Sequence, residues 1–135
     1  MQPVCLVLGA GAGIGGCVGA RFAAQGYHAA LCRRSDQAGL DRLVENIRGA
    51  GGAASGHLLN AVDEYVIEDR VSAIEADIGP IEVVIYNLGA QIGNRSLLDT
   101  TPKAFELGWR MATFGLFRVA QATFPSMVAR GGGTL

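Results

Sequence analysis

Charge is scarce in this sequence. Asp, Glu, Lys and Arg make up 17% of its 135 residues, and Lys103 is the only lysine. Globular chains usually carry about a quarter charged residues, so the deficit suits a sheet buried on both faces. The net charge of −1 supplies no basic field for nucleic acid, and no acidic tail is present. Long apolar runs are also missing. The first one breaks into glycine at Gly9 and follows no basic segment, so neither a signal peptide nor a membrane span is expected. Cysteine is rare. Cys5, Cys17 and Cys32 are odd in number and form no C-x-x-C pair, so all three are expected as small buried residues rather than disulfides or ligands. His28 and His57 have no partner at ligand spacing, which argues against a metal site. A single cytoplasmic domain over residues 1–135 is the expectation.

What the chain has in quantity is glycine, 20 residues, and apolar residues, 50% of the total. Pro3 to Leu8 is a continuous apolar run of the kind a central parallel strand needs, and Gly9 ends it. Ile14, Val18 and Phe22 then recur every four residues with Cys17 beside them, predicting a helix whose apolar stripe they form and which Gly26 stops. Tyr27 to Cys32 is a second strand. Leu40, Leu43, Val44 and Ile47 make the stripe of a second helix. The segment from Gly49 to Gly56 reads as a loop before a weak third strand near His57 to Ala61. Ile67, Val71, Ile74 and Ile78 mark a third helix closed by Gly79-Pro80, and Ile81 to Tyr86 a fourth strand. Thr101 as N-cap with Pro102 behind it opens a long helix to about Ala129, in which Pro125 predicts a kink or an early stop. Alternating strands and helices of this kind build an α/β fold, a doubly wound parallel sheet with helices on both faces.

"LVLGAGAGIGG", Leu6 to Gly16, sits at the first strand-to-helix turn. There, free N–H groups and the helix dipole favour an anion such as a pyrophosphate, and glycine lets the backbone approach it. No Gly-Lys-Ser/Thr follows, which excludes a P-loop. Gly9-x-x-x-Gly13-x-Gly15 behind a strand resembles the glycine motif of the short-chain dehydrogenase/reductase family, with Leu8 in place of a threonine. Tyr86-Asn87-Leu88-Gly89 resembles the family's Asn-Asn-Ala-Gly. The stretch from Phe114 to Leu135 looks like its long helix and the turn that follows.

The resemblance covers the whole chain and implies a Rossmann-like nicotinamide-dinucleotide domain. Gly9, Ala12, Gly13, Ile14 and Gly15 would line the pyrophosphate. Arg33 stands where NAD-binding members carry aspartate, so Arg33, Arg34 and Ser35 look like a clamp for the 2′-phosphate of NADP (NADPH); otherwise they are merely solvated. Asn60 replaces the family's adenine-binding aspartate, and with Ala61 it would neighbour the adenine. Asn87, Leu88 and Gly89 would line the ribose and nicotinamide; Asn87 is otherwise a strand-end turn former.

The implied reaction is hydride transfer to or from a small-molecule carbonyl or alcohol, in a homodimer or homotetramer paired through the long helix. No catalytic residue is assigned in this chain. The family's acid-base tyrosine needs a lysine four residues on, and Tyr27, Tyr65 and Tyr86 are followed there by Leu31, Asp69 and Ala90. Ala112 stands where a relay asparagine is expected, and strand five would begin only at Thr134-Leu135. Those departures suggest the first half of a longer oxidoreductase. The alternatives are an NADP-binding sensor without catalysis and, more remotely, an interaction module. Gln91, Asn94 and Arg95, in the loop after strand four, could face a ligand but are more often just solvated in such loops.

Overall fold

The computed structural model describes residues 1–89 and 95–135. Four parallel strands, β1 (Val4–Leu8), β2 (His28–Arg33), β3 (Ala53–Leu58) and β4 (Ile81–Tyr86), lie in the order β3-β2-β1-β4. Helices α1 (Ile14–Ala23), α2 (Gln37–Gly49) and α3 (Val66–Asp77) alternate with them. α4 (Pro102–Trp109), a π-helical turn at Arg110–Phe114 and α5 (Gly115–Ala129) follow. The chain winds outward from β1 to β3 and then returns to place β4 on the other side of β1. Leu8 at the end of β1 is level with Cys32 on one side and Tyr86 on the other. The carboxyl ends of three strands therefore open together at the point where the winding reverses, which is where ligands bind in sheets of this kind.

Period-two alternation divides the core between the two faces. Leu6, Leu8, Ala30 and Val84 pack under Ile67, Val71 and Ile74 of α3 and Val119 and Met127 of α5. Cys5, Val7, Ala29 and Leu31 pack under Ala23 of α1 and Leu40, Val44 and Ile47 of α2. The doubly wound parallel sheet read from the sequence is thus the fold observed. Thr134 begins to cover the free edge of β4: its N–H donates to the Glu82 carbonyl at 2.9 Å, and its own carbonyl accepts from Val84 N–H at 2.8 Å.

Several sequence expectations are corrected. α1 does not bury an Ile14, Val18, Phe22 stripe. Ile14 is 71% exposed, Val18 and Phe22 are half-buried, and the face turned inward is Gly15, Gly16, Gly19 and Ala23. A Cβ on Gly19 would sit 2.6 Å from Leu31 Cδ2, so α1 lies too close to the sheet for larger residues on that face. Cys17 is exposed for the same reason, whereas Cys5 and Cys32 are buried as expected. The third strand starts at Ala53, inside the segment read as a loop. Its small residues reflect the closeness of α2, since a Cβ on Gly56 would lie 2.8 Å from Leu40 Cγ. Pairing with β2, not local propensity, makes it a strand. Pro125 does not stop α5, which runs four residues further to Ala129. Pro125 and Gln121, whose carbonyl loses its helical partner, are both on the exposed face, where water can satisfy it.

Candidate cofactor site

The glycine turn is held from inside by other backbone. Gly9 leaves β1 at φ +92, where a side chain is strained, and a Cβ there would collide with the Asn87 carbonyl. Gly9 N–H and Ala10 N–H both donate to the Cys32 carbonyl, at 3.0 and 2.9 Å. Asn87 N–H donates to the Leu8 carbonyl at 2.8 Å, and Asn87 Nδ2 to the Gly9 carbonyl at 3.2 Å. Asn87 thus knots the ends of β1 and β4, a structural task beyond turn formation. Gly15 and Gly16 are equally committed, because a Cβ on either would strike the carbonyl of Gly9 or Gly11.

Gly13 is different. It is the N-cap of α1, no side chain caps that helix, and a Cβ there would meet no atom within 4 Å. Open space beside an uncapped helix N-terminus is what an anionic diphosphate requires. Ala12 and Ile14 flank Gly13 and are exposed.

Beside this turn runs a groove lined by Gly9, Arg33, Arg34, Asn60, Ala61 and Leu88, six of the residues singled out in the sequence. Ser35, Asn87 and Gly89 are exposed outside it, and Gly15 is buried. Gln91 and Asn94 lie outside the described residues, and Arg95 is exposed. Arg33 Nη1 pairs with Asp36 Oδ2 at 3.2 Å, and Asp36 in turn caps α2 by accepting from Gly39 N–H at 2.9 Å. One of the five guanidinium donors of Arg33 is thereby engaged, which restrains the side chain at the groove wall. Asn60 turns its Nδ2 toward Asp63 Oδ1 at 3.1 Å, and its Oδ1 lies 3.5 Å from Val62 N.

Three groove residues had no sequence signal: Cys32, Leu59 and Met111. Met111 arrives from the π-helical turn, where its carbonyl accepts a hydrogen bond from the Tyr86 hydroxyl. The Tyr86 ring also lies against Gly115, which has no room for a Cβ. Burial raises the Tyr86 phenol above its ordinary range, and burial pushes the Cys32 thiol up to about 12. Neither group is poised to move a proton or attack a substrate near neutrality. Among the described residues, no cluster of His, Cys, Asp or Glu could hold a metal, and no helix is long and apolar enough to cross a membrane.

A parallel sheet with its reversal point at a glycine-lined groove and an open helix N-terminus is the arrangement in which α/β proteins of the doubly wound class bind dinucleotides. The short chain dehydrogenase model matches residues 3–135, and the chain belongs to that family. It is 31% identical over 130 residues to gluconate 5-dehydrogenase of Gluconobacter oxydans, covering 96% of this chain and 50% of that protein. Among solved structures, it resembles a citronellol catabolism dehydrogenase of Pseudomonas aeruginosa (TM-score 0.87, 31% identity, 98% of this chain and 54% of that one). It also resembles a 3-ketoacyl-ACP reductase of Sinorhizobium meliloti (TM-score 0.89, 27% identity, 97% and 51%). The chain thus spans about half the length of these relatives. Family members bind a nicotinamide cofactor and act on small molecules.

Proposed function

We propose that this chain is the cofactor-binding half of an NADP-dependent oxidoreductase of the short-chain type, acting in the cytoplasm on a small carbonyl or alcohol. The observation that carries the reading is the pair Arg33 and Arg34 in the groove wall at the end of β2. In an NAD site, a carboxylate there accepts from the ribose 2′-hydroxyl; a guanidinium favours a 2′-phosphate. The bound nicotinamide supplies or accepts the hydride. The open N-terminus of α1 at Gly13 holds the diphosphate, Asn60 and Ala61 bound the adenine, and Leu88 with Gly89 bounds the nicotinamide ribose. NADPH is expected to bind at least about tenfold more tightly than NADH, and Arg33→Asp to narrow or reverse that ratio. Calorimetric titration of both cofactors checks it, and equal affinities for the unaltered protein would overturn the assignment.

A second reading, an NADP-binding sensor without catalysis, is favoured by Ala112, which lies in the π-helical turn where the family's relay asparagine is expected. Loss of NADPH absorbance with a panel of carbonyl compounds, measured on the intact protein, separates enzyme from sensor. We also propose that the protein is a homodimer or homotetramer joined along α4 and α5.

A further inference from the structure

Arg118 is 8% exposed on α5, the helix whose other side carries Phe117, Phe124 and Val128 into solvent. A guanidinium in that position needs partners, and it has three contacts. Nε donates to Glu68 Oε1 at 2.9 Å and Nη2 to Glu68 Oε2 at 2.7 Å, a bidentate pair with the first turn of α3. The remaining amino group, Nη1, donates to the Ala61 carbonyl at 2.9 Å. Ala61 and its predecessors Leu59 and Asn60 form one wall of the cofactor groove. The segment after them is short, turns through Tyr65 at φ +59, and enters α3 directly. Its other polar ties, from Asn60 to Asp63 and Val62, are local to the segment itself. Leu59 N–H also donates to the Arg33 carbonyl of β2 at 2.9 Å, so the sheet holds the near end of this wall, and among the described residues the bond from Arg118 ties its Ala61 end to the helical layer.

We propose that Arg118 is a positioning residue: held in place by Glu68, its guanidinium fixes the Ala61 carbonyl and so sets the Leu59–Ala61 wall against the adenine end of the cofactor. This deepens the proposed function and rests on that reading of the groove. Planarity is what suits arginine to the task, since one fork grips the carboxylate while the third nitrogen reaches the carbonyl. A lysine keeps the charge but cannot span both, and the Ala61 end of the wall then loses its anchor while the ion pair to Glu68 persists.

The test separates the two ends of the cofactor. Adenosine 2′,5′-bisphosphate and reduced nicotinamide mononucleotide are titrated separately against the intact protein and against Arg118→Lys. The expected result is a loss of about fivefold or more for the adenosine ligand, with the nicotinamide ligand unchanged within about twofold. Unchanged adenosine affinity in the folded variant overturns the proposal. So does an equal loss for both ligands, the mark of a purely structural role. If Arg118→Lys does not fold, Glu68→Ala frees the guanidinium by removing its carboxylate, and the same two outcomes decide. Failure of the unaltered protein to bind the adenosine ligand overturns the groove assignment itself, and the Arg118 proposal with it.

Discussion

At the scale of single residues, the glycines divide by what their missing side chains leave room for. Gly9 is needed by the protein itself: φ +92 and the Asn87 carbonyl both oppose a side chain. Gly9→Ala is expected to cost on the order of 2–3 kcal/mol, read from urea denaturation. Gly13 has nothing within 4 Å. Under the proposed function, Gly13→Ala should leave stability within about 1 kcal/mol and weaken NADPH at least about tenfold, because the methyl would occupy the space proposed for the diphosphate. The two variants thus fail in opposite assays. His57 offers a pH test. Ser55 Oγ lies 2.9 Å from Nε2 of both His28 and His57, so its one proton serves at most one ring and at least one ring donates to it. Burial, then the charge of Arg70 and the neighbouring His28, lower His57 to about 4. The native protein therefore resists protonating a ring that the unfolded chain protonates near 6.5. Stability from this ring is complete above that value and is lost as pH falls toward 4. The urea midpoint is expected to drop between pH 7 and pH 5, and His57→Gln should flatten the drop.

At the scale of elements, the junction of β4 with the α4–α5 rod is built from residues far apart in sequence. The Tyr86 hydroxyl reaches the Met111 carbonyl inside the π-helical turn, and Gly115 makes room for the ring. A π-helical turn opens the helical ladder, so a carbonyl there can take an outside donor. Tyr86→Phe is expected to cost about 1 kcal/mol in chemical denaturation, the value of one partly buried hydrogen bond. None of this was legible beforehand. Thr101 and Pro102 announced the start of α4, and Thr101 Oγ1 does accept from Ala104 N–H at 3.2 Å. The periodicity through Trp109, Leu116, Val119 and Met127 continues across the π turn without a break that would mark it.

At the scale of the whole molecule, the outer side of the α4–α5 rod is unusually apolar. Phe105 is 67% exposed, Phe117 57% and Val128 76%, and the rings of Trp109, Phe114 and Phe117 stack in a row at 5.2 and 6.3 Å. Apolar surface on this scale marks an interface in soluble proteins. Under the proposed self-association, Phe124→Glu should bring the mass measured by light scattering down to that of a smaller species, with helical content retained.

The sequence by itself determined the order of strands and helices, the glycine turn, the Asn87-x-Gly89 strand end and the arginines at the end of β2. These signals are local: periodicity, caps and glycine spacing act over a few neighbours, and the parallel winding follows from their order. Tertiary structure decided what depends on distance. It turned the glycine face of α1 inward and left Cys17 and Ile14 outside, because α1 lies so near Leu31 that even a Cβ at Gly19 would crowd it. It made a strand of Ala53 to Leu58 by pairing it with β2. It brought Met111 into the groove and placed Arg118, 57 residues from Ala61, on that residue's carbonyl. Such contacts leave no pattern in one sequence, since a side chain's partner across the fold is set by packing and not by its neighbours in the chain.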